Sequence, residues 1–419
     1  MPRFLLAFTV FAFAYSTAQS ADEPIAIAPV DWPWWRGPNR DGVAPSDQKP
    51  PAKWSETENV LWQAPLPGRG HGSAIVVGDR VYIAAADPEV QVQSLIALDR
   101  NSGKRVWATE VHKGGFETKG NAKSSLASAT PACDGRRVYI NFLHANAIYT
   151  TALDLDGKIA WQTKVSDYVL HQGFGSSPTV YKSLVVVSAD NKGGGAIAGL
   201  DRVTGKIVWS HPRPKLPNYA SPIILTAAGK EQLVLTGCDL VTALDPLTGK
   251  LLWETKGSTT ECVTSTLTDG RNVFTSGGYP KNHLSAVAAD GSGTLVWENT
   301  TRVYVPSILR KGEHLYGVQD DGFAACWRCD TGKTVWKERL GGTFTASPVL
   351  VGETIYASNE SGKTFLFKAT PEAYSAVGEN MLGDEVFATP TICGGRIFTR
   401  VATKIDGRRV EVRYCLESR

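Results

Sequence analysis

The sequence predicts an all-β chain, an eight-bladed β-propeller built from four-stranded antiparallel blades. Two repeated motifs predict this fold. The first is a turn followed by a strand with tryptophan, and its six copies begin at Leu98, Leu153, Leu200, Leu244, Ala288 and Trp327. The second is a small residue, often followed by proline, then two short strands. Its eight copies begin at Gly72, Ser128, Ser176, Ser221, Thr264, Pro306, Ser347 and Thr389. Their spacing of roughly 40 to 55 residues is typical of a four-stranded propeller blade.

Each unit supplies four strands, A to D, and the proline stands at the start of strand A, where no ladder hydrogen bond is needed. An Asp-x-x-Thr-Gly turn joins strands C and D. Its glycines provide the positive φ that a tight turn often demands; they are Gly103, Gly157, Gly205, Gly249 and Gly332. A tryptophan four residues later is expected to pack between blades as a staple. These residues are Trp107, Trp161, Trp209, Trp253, Trp297 and Trp336, with Trp62 as the N-terminal counterpart.

The ring is expected to close through the N-terminus. The last unit stops after its third strand, and the segment "ENVLWQAPLPG" around Trp62 supplies a fourth. A ring left open would expose strand edges. The unit at 365–382 lacks the tryptophan, which makes its D strand the hardest to place. We therefore divide the chain into a signal peptide (1–20), an N-terminal tryptophan-rich extension packing on the propeller (21–53) and the propeller itself (54–419).

The first twenty residues predict export. Arg3 precedes an apolar stretch too short to span a bilayer, and small residues Ala18 and Ser20 stand at the cleavage positions. No cysteine follows for a lipid anchor. We expect a periplasmic or secreted protein with no membrane span.

The charge composition limits the classes of partner that we expect. The formal net charge is only +3, without a basic stripe, so nucleic acid is not expected. We expect a monomer.

Export permits disulfides among the seven cysteines, and Cys238 with Cys262 is the first candidate pair. Cys326 and Cys329 have redox spacing but stand at a strand end and turn, which favours a structural pair or free thiols over redox chemistry.

The two motifs resemble the pyrroloquinoline quinone (PQQ) repeat propellers. This group includes the quinoprotein alcohol dehydrogenases and the propeller lipoprotein of outer-membrane protein assembly. The opening "DWPWWRGPNRDGV" at Asp31 also resembles the start of exported PQQ-like repeat proteins from planctomycete-type bacteria. The resemblance implies the fold strongly and the chemistry weakly, because one fold hosts many functions.

The D-to-A and B-to-C loops share one face of a propeller, and the long, varied D-to-A loops make it the candidate binding face. Residues of these loops are expected to line the channel mouth as ligand-binding candidates: His71, Lys123, His171, Gln172, Asn191, Glu261, His283, Tyr304 and Glu385. A plain solvated funnel is the alternative. No catalytic residue and no metal site is assigned; Asp154 and Asp156, which suggest a calcium loop, lie in the repeat's own turn.

Three functions remain open. We favour a binding or scaffold propeller for a protein or polymer partner, with no cofactor. The second is a PQQ-dependent dehydrogenase of alcohols or sugars. The resemblance to the quinoprotein dehydrogenases implies a bound quinone with calcium. The chain, however, lacks the pair of adjacent cysteines that contacts the quinone in many of these enzymes, and it has no haem motif. The third is a polysaccharide hydrolase or lyase, for which Glu261 and Glu385 are the only carboxylate pair we name.

Three further tryptophans, Trp32, Trp34 and Trp35, precede the first strand. They are expected to pack the N-terminal segment onto the propeller or to cover one opening. The alternative is an exposed aromatic platform for a partner or sugar.

Overall fold

The computed structural model describes residues 23–116 and 120–419. The expected signal peptide lies outside this part of the chain. The regular structure of the described residues consists of 33 β-strands in eight sheets. None of these residues forms a helix long and apolar enough to cross a membrane.

Each of the first four blades is an antiparallel sheet whose strands follow chain order from A, nearest the channel, to D at the rim. Blade 1 holds β3 (Ile75–Val77), β4 (Arg80–Asp87), β5 (Val92–Asp99) and β6 (Arg105–Lys113). Blade 2 holds β7 (Ala132–Cys133), β8 (Arg137–His144), β9 (Ala147–Asp154) and β10 (Ile159–Asp167). Blade 3 holds β11 (Thr179–Tyr181), β12 (Leu184–Ser188), β13 (Ala196–Asp201) and β14 (Ile207–Pro212). Blade 4 holds β15 (Ile223–Ala227), β16 (Lys230–Gly237), β17 (Leu240–Leu244) and β18 (Leu251–Lys256).

The remaining blades repeat this order, with an addition from the N-terminus in the last two. Blade 5 holds β19 (Leu267–Thr268), β20 (Asn272–Gly277), β21 (His283–Ala288) and β22 (Leu295–Asn299). Blade 6 holds β23 (Leu309–Lys311), β24 (His314–Val318), β25 (Phe323–Arg328) and β26 (Thr334–Arg339). Blade 7 holds β27 (Val349–Val351), β28 (Thr354–Ser358), β29 (Lys363–Lys368) and β30 (Ala376–Met381), with β1 (Val43–Ala44) parallel to β27. Blade 8 holds β31 (Thr391–Cys393), β32 (Arg396–Ile405), β33 (Arg408–Leu416) and β2 (Val60–Leu66).

The N-terminal strand β2 is the outer strand of the last blade. It pairs antiparallel with β33, so that Trp62 lies opposite Cys415. The first and last parts of the chain therefore share one sheet, and blade 8 has no unpaired C strand.

A β-bulge precedes the tryptophan position in every D strand. In blade 1, Arg105 pairs with Leu98 and Trp107 with Ala97, so Val106 is left out of the ladder. The same register shift occurs in the other seven blades. A bulge turns the next side chain, and here it places the indole on the next blade: the Trp107 N–H donates to the Leu155 carbonyl at 2.9 Å.

Five of the tryptophans donate in this way to the C-to-D turn of the following blade. They are Trp62, Trp107, Trp161, Trp297 and Trp336. The turn glycine lies directly under the indole, since a Cβ on Gly103 would stand 2.5 Å from the Trp62 ring. Its φ of +68° is also one that other residues rarely adopt. The turn glycine is therefore required both for backbone conformation and for contact.

Blade 7 obtains its tryptophan from the N-terminal segment. Gly378 occupies the position of the missing indole, while Trp54 is only 6% exposed and stacks on Tyr356 at 6.4 Å. Trp54 packs in one apolar cluster with Tyr356 of blade 7 and Ile397 of blade 8. Its backbone N–H donates to Asn380 on β30. Trp54 thus fills the interface that the repeat itself leaves without a tryptophan.

The Ser or Thr at the start of strand A forms a belt around the channel. Its hydroxyl accepts a hydrogen bond from the backbone N–H of the equivalent residue one blade earlier, as between Ser73 N–H and Thr130 at 3.0 Å. Six of the eight links have this form. Between blades 8 and 1 the Ser73 hydroxyl instead donates to the Thr389 carbonyl. The belt explains why a hydroxyl residue recurs before the proline.

The N-terminal segment crosses the face formed by the A-to-B turns. Trp32 exchanges backbone hydrogen bonds with Val76 of blade 1, and Arg40 donates to the Val180 carbonyl of blade 3. Arg36, on the opposite side, donates to the carbonyls of Ile308 and Pro348 in blades 6 and 7. This segment therefore closes that end of the channel.

The expected disulfide between Cys238 and Cys262 is absent; the prediction was wrong. All seven cysteines are free and buried. The Cys238 thiol faces Asp190 at 3.6 Å, whereas Cys262 faces Ser258 at 3.2 Å. Cys326 and Cys329 are also unpaired, and burial raises the pKa of Cys326 to about 11. Their environment suits buried thiols rather than a redox pair.

Candidate ligand cavity in the central channel

The channel forms a cavity of about 510 Å³ on the face of the D-to-A loops. All eight D-to-A loops contribute to its wall. Trp35 of the N-terminal segment lies at the other end, where its indole N–H donates to the Ser265 hydroxyl at 2.7 Å. The cavity is therefore open on one face, and the chain's own N-terminal segment forms its floor.

Six of the nine candidate residues line this cavity: His71, Lys123, His171, Gln172, Glu261 and Tyr304. They come from five different D-to-A loops. The loop preceding strand A brings them together because all eight A strands begin around the same axis. Three aromatic side chains complete the wall: Phe174 from the loop that also holds His171, and Tyr219 and Phe387 from two further loops.

Glu261 is the central polar group of the wall. Its side chain is only 3% exposed. The His171 Nε2 lies 3.1 Å from one carboxylate oxygen, and the Tyr304 hydroxyl donates to the other at 3.2 Å. An ionised carboxylate can accept about four hydrogen bonds. With only these two neighbours, Glu261 can still accept hydrogen bonds from a ligand.

Tyr219 carries a buried hydroxyl with no hydrogen-bond partner in the described chain. Its side chain lines the cavity, and the residue is 9% exposed. Burial and the nearby Glu261 both raise the pKa of Tyr219, so the phenol stays protonated. A buried hydroxyl without a partner is costly, and a ligand in the cavity would satisfy it.

His71 provides a second unsatisfied group. Its ring stacks on Phe387 at 4.5 Å, and its Nε2 is buried without a partner among the residues described. Burial, together with Arg69 and Arg400, holds the pKa of His71 well below its usual range. The imidazole is therefore neutral near pH 7 and offers a ligand a hydrogen-bonding nitrogen rather than a charge.

An ion pair crosses the mouth. The Lys123 ammonium, from the loop between blades 1 and 2, lies 2.8 Å from Glu360 in blade 7. Glu360 also accepts from the Thr345 hydroxyl. Lys123 is thus neutralised by a protein carboxylate.

Belt hydroxyls face the cavity from below. Each accepts a backbone N–H, and none donates to an acceptor within the described ranges; they are Thr130, Ser177, Ser221, Ser347 and Thr389. A hydroxyl carries one donor as well as its acceptor sites. The inner end of the cavity therefore presents a ring of O–H donors.

The other three candidate residues, Asn191, His283 and Glu385, are not part of the cavity lining. Asn191 is buried in its own loop, where its amide donates to the Ala189 carbonyl. His283 lies between strands of blade 5, 3.0 Å from the hydroxyls of Thr275 and Ser285. Glu385 pairs with Arg409 at 2.9 Å. Their loops are on the expected face, but their side chains point into or beside the blades.

Trp35 at the floor of the cavity agrees with the expectation that the N-terminal tryptophans pack on the propeller or cover one opening, although the local pattern does not show which of them lies there. Sequence reasoning missed Phe387, two residues beyond Glu385. An aromatic residue just before a strand A was the available signal, since Tyr219 has the same position relative to its strand.

The described lining of the cavity contains one carboxylate, that of Glu261. No group of three or more His, Cys, Asp or Glu side chains in the described part of the chain is arranged to hold one. Asp154, whose loop suggests calcium, instead accepts the backbone N–H groups of Asp156 and Lys158 in a tight turn.

Comparisons with known proteins agree with this architecture. A family model described as outer membrane protein assembly factor BamB matches residues 46–167 and 91–338. BamB of Burkholderia pseudomallei is 23% identical over 342 residues, covering 79% of this chain and 81% of the relative. Tetrathionate hydrolase of Acidithiobacillus ferrooxidans is 24% identical over 362 residues, covering 73% and 66%.

Among solved structures, quinohemoprotein alcohol dehydrogenase of Comamonas testosteroni superposes with a TM-score of 0.68 at 14% identity. The match covers 96% of this chain and 82% of that one. At this identity the likeness concerns the fold. The family model spans well over half of the chain, so the protein belongs to the PQQ-repeat propeller family whose model is described as outer membrane protein assembly factor BamB.

Proposed function

We propose that the chain is an exported, monomeric binding propeller that takes a protein or polymer partner at the face of the D-to-A loops. The observation that carries the proposal is the single-ended cavity with unsatisfied polar groups in its wall. A wall that holds the unpartnered Tyr219 hydroxyl and a buried Glu261 carboxylate is suited to a ligand. The similarity to an assembly factor supports a recruiting role.

The test is capture from the exported protein fraction of the source cells by immobilised mature protein. Tyr304→Arg places a bulky charge at the mouth. Lys250→Glu changes an exposed C-to-D turn and serves as the control. We expect a species retained by wild type and Lys250→Glu but lost with Tyr304→Arg, and then bound as a purified compound. Identical captures by all three proteins would contradict the proposal.

A PQQ-dependent dehydrogenase is the second candidate, and the structural likeness to alcohol dehydrogenases favours considering it. The cavity residues fit the quinone poorly. PQQ is a tricarboxylic acid, whereas the described lining supplies one ammonium, that of Lys123, already paired with Glu360. Calcium prefers several oxygen ligands, and Glu261 is the one carboxylate in that lining. We therefore derive no step through the quinone.

Calorimetric titration of the mature protein with PQQ, with and without Ca²⁺, separates the two candidates. We expect no saturable heat. Micromolar binding that depends on Ca²⁺ would replace the binding proposal by the dehydrogenase.

The third candidate function, a polysaccharide hydrolase or lyase, needs two carboxylates in the same site, and the cavity does not bring Glu261 and Glu385 together. Glu261 lines the cavity, while Glu385 lies outside the lining and is paired with Arg409. Acid–base cleavage by two facing carboxylates therefore has no second group in the described lining.

A further inference from the structure

We propose that the cavity binds the end of a neutral saccharide chain, with the Glu261 carboxylate, the Tyr219 hydroxyl and the belt hydroxyls as its hydrogen-bonding partners. The proposal rests on the proposed function and names the ligand class of the same cavity.

The charges of the lining disfavour an anionic ligand. The described lining contains one ammonium, Lys123, and one carboxylate, Glu261. Lys123 is paired with Glu360 across the mouth. Glu261 is held by His171 and Tyr304, and the buried His71 is neutral near pH 7 because burial lowers its pKa. An anion would therefore enter without a free cation to meet it, at a high desolvation cost.

Hydrogen-bonding capacity points to a ligand that both donates and accepts. Glu261 is an acceptor on the wall, and the belt hydroxyls of Thr130, Ser177 and Ser347 are donors at the inner end. The Tyr219 hydroxyl has no protein partner. Sugar hydroxyls meet both demands, since each is a donor and an acceptor. A carboxylate or an ammonium meets only one.

The aromatic lining fits the rest of a sugar ring. Phe174, Tyr219, Tyr304 and Phe387 come from four different loops, and Trp35 closes the floor. Such rings present flat apolar faces beside polar groups, as the C–H face of a pyranose requires. The volume of about 510 Å³ falls within the usual range for small-ligand sites, roughly 300 to 1,000 Å³.

Calorimetric titration of the mature protein with maltotriose, cellotriose and chitotriose tests the inference. Hexaethylene glycol, with ether oxygens but few donors, and choline, a cation, are the comparison probes. We expect saturable binding of at least one trisaccharide and none of the two comparison probes.

Variants then locate the site. Glu261→Gln is expected to weaken binding roughly ten- to a hundredfold, because a hydrogen bond to a charged group is lost. Tyr219→Phe removes only the unpartnered hydroxyl and is expected to weaken binding roughly three- to tenfold. Glu353→Gln, on an exposed carboxylate, is the matched control and leaves affinity unchanged. Thermal melts of each variant show that the propeller is folded.

Three outcomes would overturn the inference: no trisaccharide binds at millimolar concentration, choline binds instead, or the affinities of Glu261→Gln and Tyr219→Phe equal that of wild type. Because pure sugars are titrated here, a negative result leaves capture of a protein partner as a separate outcome. Conversely, failed capture with intact sugar binding would remove the recruiting role alone.

Discussion

At the residue scale, the predicted site and the observed cavity differ because some side chains of the predicted loops point away from the channel. His71 and His283 both follow the loop pattern of the binding face. His71 points into the channel, whereas His283 turns between two strands of blade 5. The repeat identifies the loop to which a residue belongs. It does not show which way a side chain turns once the loop leaves the strand, and Asn191 and Glu385 likewise lie outside the cavity lining.

The buried position of His283 predicts acid sensitivity. Burial lowers its pKa to about 4, while an unfolded histidine titrates near 6.5. The unfolded chain therefore binds more protons below pH 6.5, and the histidine's contribution to stability is lost as pH falls from about 6.5 to about 4. We expect His283→Gln to reduce this pH-dependent loss in the free energy of unfolding by about 3 kcal/mol.

Urea unfolding between pH 4 and 7 measures that slope. Part of it remains in the variant, because burial also lowers the pKa of His112 to about 4. His314→Gln, on a partly exposed histidine of strand β24, is the control. An unchanged slope in His283→Gln would show that the imidazole titrates freely in the folded protein.

At the element scale, contacts within a repeat were predictable and contacts between repeats were only partly so. The turn and tryptophan recur at fixed spacing, so the sequence reveals both the strand boundary and the inter-blade indole. No residue type in the sequence indicates the bulge before each tryptophan. Trp54 shows the limit most clearly: it stabilises the interface of blades 7 and 8 from outside the repeat, and no periodicity leads to it.

The hydroxyl belt gives an element-scale prediction. Ser307 is 1% exposed, and its hydroxyl accepts the backbone N–H of Ser265 from the preceding blade. Ser307→Ala leaves that buried N–H without a partner and is expected to lower the free energy of unfolding by about 1–3 kcal/mol. Ser307→Thr keeps the hydroxyl, as Thr130 and Thr389 do in their blades, and is expected to retain most of the stability. Urea unfolding at pH 7 compares the three proteins; equal losses in both variants would assign the effect to packing rather than to the belt.

At the scale of the whole molecule, the N-terminal segment does two things that the repeat alone cannot do. Strand β2 completes blade 8, and the preceding residues close the channel and supply its floor. The loops of the ring therefore form the wall of the cavity, and the N-terminal segment forms its floor. Closure by the first strand was predictable, because the last unit lacks a strand. Covering of one opening by the N-terminal tryptophans was also among the expectations, but the choice of Trp35 as the floor was not predictable, because a crossing segment has no periodicity.

The attachment of this segment depends on Arg36. Its guanidinium is buried and donates to the carbonyls of Asp41, Ile308 and Pro348, which ties blades 6 and 7 to the segment. Arg36→Met removes all three hydrogen bonds and leaves buried carbonyls unsatisfied. Blade strands keep their own ladders, so the segment is expected to open locally while the ring stays folded.

Hydrogen exchange followed by mass spectrometry distinguishes local from global opening. We expect amides in residues 32–44, including Trp32 and Val43, to exchange at least about tenfold faster in Arg36→Met, while the B and C strands keep wild-type rates. Arg136→Met, on an exposed arginine, is the control and leaves the segment protected. Faster exchange throughout all eight blades would mean instead that the segment and the ring unfold as one unit, and that the floor of the cavity is inseparable from the stability of the propeller.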